Sequence, residues 1–357
     1  MSKVLEQREK RARIKALLEA KNLDAVVLKK GANVAWIIGG RAHIPTTLEL
    51  SCMDVIVYRD RIVVVTNKIE APRLQAEELS GDEELVVINW FEGREAQLPQ
   101  GERIGVDGAE INRVNLQSEI ETLRRALNDF EINRFRDIGK DAAAALGEAM
   151  LDIDPEMSEV EVAGEIAEEL WERDLEPVVL LVAGESRIKQ FRHPLPTTSA
   201  IGSIAMGVIC ARRKGLIASV TRLIHFGEVS PEMHETYHRL LHVEAAFLDG
   251  TKVGATLAEA FKAGENEYLK QGFARDEWTK HHQGGPAGYL PRDFPAHEKT
   301  PQLIAVNNAI AWNPSAEGLK VEDTVITTPT GLEVITHDPE WPSIEIAGRS
   351  RPDIAIR

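Results

Sequence analysis

The sequence predicts an α/β domain over residues 1–128 and an α+β domain over residues 129–357, the second built on a curved antiparallel sheet backed by helices. Three observations lead to this prediction. A chain of 357 residues exceeds what one hydrophobic core usually organises. Helical and strand-like segments alternate up to about residue 128. From there an Ala-rich helical stretch runs through Met150, and several strand-like runs follow.

The N-terminal domain starts with a helical pattern over residues 3–22, in which Ile14, Leu17 and Leu18 recur at helical spacing. The apolar segments that follow this helix are rich in β-branched residues and are separated by turn-like residues, which is typical of strands. Helices are predicted near residues 69–78 and 113–127. The predicted strands are Ala25–Leu28, Met53–Tyr58, Arg61–Thr66, Leu85–Ile88 and Ile104–Val106.

Two helices of the C-terminal domain are marked by capping boxes, in which Ser or Thr is followed three residues later by Glu. These are Ser158 with Glu161 and Thr256 with Glu259. A turn at residues 329–331 folds the last strand-like run back on itself, which favours antiparallel pairing. The predicted strands are Val178–Val182, Ile204–Cys210, Leu216–Phe226, Leu303–Trp312 and Val321–Thr327.

The composition excludes several functions. A formal net charge of −15 disfavours binding to nucleic acid or to an anionic membrane surface. The first ten residues are too charged for a signal peptide, and no apolar run is long enough for a membrane span, so a cytoplasmic location is expected. Cys52 and Cys210 have no metal-binding spacing and are expected to be buried free thiols.

One named motif occurs in a predicted helix that starts after Ser230. His234-Glu235-Thr236-Tyr237-His238 has the H-E-x-x-H pattern, in which two histidines one turn apart can bind zinc. The alternative is a half-exposed helix that packs on the sheet, because Tyr237 lies on the apolar stripe and the histidines only flank it. We favour the second interpretation, since three fixed positions also match by chance.

A second set of polar residues is distributed along the C-terminal domain, each at or near the end of a strand-like run, where side chains converge on a pocket. Within it, residues 280–293 contain paired histidines, several glycines that let the backbone approach a ligand, and an arginine suited to a carboxylate. The candidate site residues are His193, His281, His282, Tyr289, Arg292, Asn313 and Glu322.

The order of these residues resembles the pita-bread family of creatinase, prolidase, aminopeptidase P and methionine aminopeptidase. The resemblance covers roughly residues 130–357, and residues 1–128 more weakly resemble the N-terminal domain of creatinase and aminopeptidase P. It implies a site for two metal ions held by two Asp, one His and two Glu. At those positions this chain has Val208, Ser219, His281 or His282, Asn313 and Glu322. Three carboxylates are therefore missing, which removes much of the charge that two divalent cations require.

Within the family, the site pattern is most similar to that of creatinase, which works without a metal. The spacing of His281, Gly284 and Arg292 matches creatinase, which favours His281 over His282 as its counterpart. The resemblance implies that His193 carries the catalytic proton and that Arg292 binds a carboxylate. It also implies a homodimer in which Arg41 contributes to the partner's site; a solvated loop arginine is the alternative.

Thr221 and Asn313 replace the two Glu that hold the guanidinium group in creatinase, so creatine itself is not expected as the substrate. The prediction is a hydrolase that cleaves a C–N bond in a small carboxylate-bearing compound, with His193, His281, His282 and Glu322 as catalytic groups. Arg292, Asn313, Tyr289 and Arg41 are predicted to bind the substrate. No cofactor is expected, although a single divalent metal at His282 and Glu322 stays open. The alternatives are an Xaa-Pro-type peptidase with an altered metal site and a binding protein that has lost catalysis.

Overall fold

A computed structural model describes residues 3–99 and 103–357. Residues 1–2 and 100–102, which fall in the predicted N-terminal domain, lie outside the described part. The chain divides into two compact units, residues 1–130 and 131–357. Each unit has its own sheets and its own apolar core.

The N-terminal unit is a six-stranded mixed sheet in the order β4-β3-β2-β1-β5-β6. Strand β1 pairs antiparallel with β2 and parallel with β5. Its elements are α1 (Lys3–Ala20), β1 (Ala25–Lys30), α2 (Gly31–Ile38), β2 (Leu50–Tyr58), β3 (Ile62–Asn67), α3 (Ala71–Arg73) with a π-helical turn (Leu74–Glu78), β4 (Glu84–Ile88), a 3₁₀ turn (Arg94–Gln97), β5 (Ile104–Val106), β6 (Val114–Asn115) and α4 (Gln117–Arg125).

The C-terminal unit begins with a long helix, and its described residues then form further helices, two four-stranded sheets and two two-stranded sheets. Both predicted capping boxes are present, at Ser158 and Thr256. Its elements are α5 (Asp129–Asp152), α6 (Glu159–Glu172), β7 (Glu176–Gly184), α7 (Glu185–Ile188), β8 (Ile204–Arg213), β9 (Leu216–His225), α8 (Pro231–Gly250), α9 (Leu257–Lys270), a 3₁₀ turn (Glu277–Lys280), β10 (Gly284–Ala287), β11 (Ala309–Trp312), β12 (Ser315–Ala316), β13 (Leu319–Lys320), β14 (Asp323–Thr328), β15 (Gly331–Val334), β16 (Ser343–Ile346), β17 (Arg349–Pro352) and β18 (Ala355–Ile356).

Two four-stranded sheets of this unit carry the candidate site. One has the order β18-β9-β8-β7 and the other β10-β11-β14-β15. All their pairings are antiparallel except that of β18 with β9. A single antiparallel bridge between Thr221 and Glu322 joins them. Residues on β9 and residues beside β14 are therefore held next to each other.

Helix α8 packs its apolar side into the core beside these sheets. Phe247 of α8 stacks on Trp312 of β11, with ring centroids 4.6 Å apart. The indole Nε1 of Trp312 donates to Thr251 Oγ1 over 2.8 Å. These contacts fix the end of β11, and Asn313 follows directly. Within the described part of the chain, no helix is long and apolar enough to cross a lipid bilayer.

The predicted strand Leu303–Trp312 is wrong over its first half, because only Ala309–Trp312 is a strand. Asn307 has a positive φ of 65°, which a strand does not accommodate. The side chain of Asn308 accepts a hydrogen bond from the Ala305 amide over 2.9 Å. A local hydrogen bond to a side chain thus takes the place of the strand pairing that the apolar pattern predicts. Likewise, the helix predicted near residues 113–127 begins only at Gln117, after the short strand β6.

Candidate active site

Glu322 lies between β13 and β14 and is anchored by strand β9. Its carbonyl oxygen accepts from the Thr221 amide over 3.1 Å, and its carboxylate Oε2 accepts from the Thr221 hydroxyl over 2.9 Å. The residue is 2 % exposed. Main chain and side chain together therefore hold the carboxylate in one place.

Two cationic side chains, the buried Lys320 and the mostly buried Arg292, contact the same carboxylate. Arg292 Nη2 lies 2.6 Å from Oε1, and Lys320 Nζ lies 2.9 Å from Oε2. Burial alone would raise the pKa of Glu322, but Lys320 and Arg292 lower it to about 2. With the carboxylate ionised, two positive charges face one negative charge, which leaves one net positive charge in the group.

The other donors of Arg292 are partly engaged inside the protein. Nη1 donates to Ser219 Oγ over 3.1 Å and to the Pro291 carbonyl over 2.5 Å. Ser219 lies across the β8–β9 ladder from Cys210, whose sulfur is 3.3 Å from the same hydroxyl. Ser219 thus works as a support for the guanidinium.

Three histidines form a compact group in the same unit. Nε2 of His193 lies 2.9 Å from Nε2 of His281, so one ring donates a hydrogen bond to the other. The His281 and His282 rings stack with centroids 4.5 Å apart. His281 is buried, while His193 is exposed to solvent. The pair thus connects solvent with the buried part of the site.

All three rings are held in the neutral form. Burial, with help from Lys320, lowers the pKa of His281 to about 2. Burial and Arg292 lower the pKa of His282 to about 4. The pKa of His193 is also lowered, by burial and then by Lys320. Near pH 7 the site therefore contains uncharged imidazoles beside fixed charges.

The backbone that carries the two adjacent histidines is fixed by Gln283. Its side-chain Nε2 donates to the His281 carbonyl over 2.6 Å and to the Trp278 carbonyl over 2.8 Å. Its Oε1 accepts from the Tyr268 hydroxyl over 2.9 Å. Gly284 follows with a φ of 120°, and a Cβ there would lie 2.2 Å from the Ala311 carbonyl oxygen. Only glycine fits this close approach to β11.

The remaining predicted site residues have different surroundings. Asn313 is 3 % exposed, and its Oδ1 has no hydrogen-bond partner among the described residues. The Tyr289 hydroxyl donates to Glu131 on α5 over 2.7 Å. Arg41 belongs to the N-terminal unit, where its guanidinium contacts Glu77 and Glu78 at 2.9 Å and 2.7 Å.

Two residues that matter here were missed by sequence reasoning, namely Lys320 and Gln283. Lys320 stands two residues before Glu322, and alternation along a strand places such residues on one side. This two-residue spacing is visible in the sequence, but it is a weak indication for so short a strand. Gln283 has no comparable signal, because its partners Trp278 and Tyr268 are recognisable only after folding.

The three histidines also satisfy a simple geometric condition for metal binding. One ligand atom from each of His193, His281 and His282 lies within 4.8 Å of the others. The position that the resemblance gives to the first metal-binding Asp is Val208, which is buried in the apolar core. The three clustered histidines therefore overlap only in part with the five metal-ligand positions that the resemblance implies.

The model of metallopeptidase family M24 matches residues 133–329, more than half of the chain. An uncharacterized peptidase of Staphylococcus aureus (strain MW2) is 28% identical over 127 residues, which cover 34% of this chain and 35% of that protein. The aligned part thus spans about a third of the curated relative's length. The chain belongs to metallopeptidase family M24.

Two solved structures extend the likeness to nearly the whole chain. Prolidase from Pyrococcus horikoshii aligns with a TM-score of 0.79 at 17% identity, over 92% of this chain and 98% of the other. The N-terminal domain of the FACT complex subunit SPT16 from chickpea aligns with a TM-score of 0.69 at 13% identity, over 93% and 96%. At these identities the likeness shows the fold alone. The predicted fold class and the resemblance to the pita-bread family are confirmed, and family membership supports the predicted enzyme class, a hydrolase acting on C–N bonds.

Proposed function

We propose that this protein hydrolyses a C–N bond in a small carboxylate-bearing substrate without a dinuclear metal site. One observation carries the proposal. The only carboxylate at the family's ligand positions, Glu322, is bound by Lys320 and Arg292, and this charged group acts electrostatically on the neutral pair His193 and His281.

The donor set does not fit two divalent ions. Val208 has no ligand atom, and the Ser219 hydroxyl supports Arg292. Asn313 offers an unpartnered oxygen, but an amide carries no charge. Glu322 would have to give up two cationic partners to bind a metal ion. Two hard cations with one engaged carboxylate would remain largely uncompensated.

Lys320 and Arg292 instead give the site the charge that an anionic substrate needs. One net positive charge remains after Glu322 is counted, and both cationic side chains are nearly buried, where attraction is weakly screened. A substrate carboxylate would bind against these donors. The free oxygen of Asn313 would accept from an amide N–H of the substrate. A substrate that has a neutral amide-like group beside a carboxylate would match both sets of contacts.

The histidines supply proton transfer. A neutral His193 at the solvent side takes a proton from water as the water oxygen attacks the substrate carbonyl carbon. The same ring then gives that proton to the leaving nitrogen as the C–N bond breaks. His281 orients His193 through their 2.9 Å hydrogen bond, and His282 supports His281 by stacking. Glu322 keeps the two cations in position.

The test uses chelator-treated protein and a panel of Xaa-Pro dipeptides, N-acyl amino acids and small amides that carry a carboxylate, with products measured by mass spectrometry. Turnover is expected without added metal and should not rise with Mn²⁺ or Co²⁺. His193→Ala should lower it at least about 100-fold, because general acid–base catalysis contributes that much. The exposed His242→Ala is the matched control.

Two other outcomes favour the alternatives. Turnover that appears only with Mn²⁺ or Co²⁺ would contradict the proposal and favour an Xaa-Pro-type peptidase with an altered metal site. Binding of the compounds without turnover would favour a second candidate, a pita-bread binding protein without catalysis. That candidate is supported by the engagement of Glu322 with Thr221, Lys320 and Arg292, which leaves little of the carboxylate free.

We also propose a cytoplasmic homodimer in which Arg41 reaches the partner's site. Arg41 has a half-exposed side chain, and Glu77 and Glu78 hold it in one orientation. Arg41→Ala should raise KM more than it lowers kcat, because the arginine would act in binding. A monomer by sedimentation at assay concentration would contradict the contribution in trans.

A further inference from the structure

A second group of metal-ligating side chains lies outside the candidate active site. His234 and His238 stand one turn apart on α8, and Asp353 follows strand β17. One ligand atom from each lies within 4.8 Å of the others. The two imidazole rings are close, with centroids 4.0 Å apart. Three potential metal ligands from two distant parts of the sequence thus lie close together.

The polar atoms of this group are incompletely satisfied. Nε2 of His238 is buried and has no hydrogen-bond partner within the described ranges of the chain. Such a nitrogen has lost its water without a replacement, which costs free energy. In the tautomer that carries its proton on Nδ1, the lone pair of this nitrogen is available to a metal ion. His234 is exposed, so an ion could enter from solvent and retain water in the remaining coordination position.

The third ligand is held in place by its backbone. The Asp353 amide donates to the Pro342 carbonyl over 2.8 Å, and Trp341 Nε1 donates to the Asp353 carbonyl over 2.9 Å. Tyr237, next to His238 on α8, donates its hydroxyl to the Pro352 carbonyl over 2.9 Å. Helix α8 therefore carries two ligands and also fixes the segment that carries the third.

The charges around the group suit a cation. The Asp353 carboxylate acts electrostatically on His238 and brings a negative charge to the group. Two imidazoles with one carboxylate are a common ligand set for Zn²⁺. In tetrahedral coordination the ligand atoms are about 3.4 Å apart. The three ligand atoms lie within 4.8 Å of one another in this structure, so a bound ion would draw them closer together.

We propose that His234, His238 and Asp353 bind one Zn²⁺ ion, which joins α8 to the segment between β17 and β18. This site is independent of the proposed hydrolase function. Because β18 pairs with β9, the ion would hold the end of the described chain against the sheet that carries Ser219 and Thr221. Its main effect is to stabilise the C-terminal unit.

The test is Zn²⁺ titration of the chelator-treated full-length protein by calorimetry, with metal content by elemental mass spectrometry and melting temperature as further readouts. One Zn²⁺ per chain and a rise in melting temperature are expected. His238→Ala and Asp353→Asn should each weaken binding at least about tenfold. Asp353→Asn keeps the backbone contacts, so a loss of folding would not explain its effect.

His242→Ala and His193→Ala are the controls. The first removes a histidine on the next turn of α8, and the second disrupts the other histidine group. Both should bind Zn²⁺ as the unchanged protein does. Binding abolished by His193→Ala, equal binding by His234→Ala, His238→Ala and the unchanged protein, or no binding at all would each overturn the proposal. The hydrolase proposal is tested by turnover alone, so the two can fail separately.

Discussion

The two histidine groups of the C-terminal unit have similar geometry and opposite electrostatic surroundings. In each, the ligand atoms of three side chains lie within 4.8 Å of one another. Lys320 acts on all three rings of the group His193, His281 and His282. The group His234, His238 and Asp353 instead contains its own carboxylate.

This difference teaches that clustered histidines do not by themselves define a metal site. A cation beside Lys320 and Arg292 would be repelled, whereas one beside Asp353 would be attracted. In our two proposals, the same imidazole chemistry serves proton transfer in one place and metal binding in the other. The predictions below change the charges or contacts on one side of this comparison and measure what happens there.

The largest expected effect is on stability, from Glu322→Gln. The substitution leaves Lys320 and Arg292 buried without their carboxylate, and breaking a buried ion pair typically costs about 3–5 kcal/mol. Urea unfolding measures the change. Combining it with Lys320→Met should recover part of the loss, because one unpaired charge is removed. If the two substitutions lower the free energy of unfolding additively in the double variant, Lys320 and Glu322 do not interact as proposed.

The next effect is on activity, from Lys320→Met. Lys320 is one of the two donors proposed to bind the substrate carboxylate, so its removal should raise KM more than it lowers kcat. The expected loss in kcat/KM is about 10- to 150-fold, which corresponds to one hydrogen bond to a charged group. The measurement is kcat and KM on a substrate found as proposed above. Lys299→Met is the matched control, since that side chain is 80 % exposed. Similar activity in both variants would contradict a role of Lys320 in the site.

Stability should also fall as pH decreases below about 6.5. The pKa of His281 is lowered from 6.5 to about 2 in the folded chain, so below 6.5 the unfolded chain binds a proton that the folded chain does not. Stability is therefore fully present above pH 6.5. It is lost progressively below it, by up to about 1.4 kcal/mol per pH unit for this residue.

Urea unfolding between pH 4.5 and 7.5 measures that slope. His281→Gln should flatten it, because glutamine does not titrate. His242→Gln, on an exposed residue, should leave the slope unchanged. An unchanged slope in His281→Gln would show that the ring does not carry the dependence.

The smallest expected effect concerns the second histidine group. Tyr237→Phe removes the hydrogen bond to the Pro352 carbonyl, which helps to place Asp353. Zn²⁺ affinity should fall about three- to tenfold, which corresponds to one ordinary hydrogen bond. Tyr289→Phe loses a buried bond to Glu131 and should leave Zn²⁺ affinity unchanged. Equal affinities in all three proteins would remove Tyr237 from the site.

Much of the fold could be predicted from local patterns. The capping boxes at Ser158 and Thr256 start helices where they were expected, because a cap is made within three residues. The strand predicted from Leu303 was too long, since the bond between Ala305 and Asn308 competes with the ladder. Apolar patterning indicates which residues are buried, but it does not indicate which of several competing hydrogen bonds the backbone forms.

The candidate site was predictable only in part. Family resemblance and residue spacing singled out His193, His281, Arg292 and Glu322, and the folded chain brings His193 to His281 and Arg292 to Glu322. The H-E-x-x-H pattern likewise marked His234 and His238. Asp353 could not be found in this way, because nothing near it in the sequence indicates its neighbour on α8.

The sequence by itself determined the class of fold, the loss of three family carboxylates and the positions of the histidines. These follow from residue identity and short-range periodicity. Only the tertiary structure decided that Lys320 and Arg292 share one carboxylate and that Asp353 reaches the histidines of α8. The physical reason is that electrostatic energy depends on distance in space, and the distances between remote segments are set by how the sheets pair and pack.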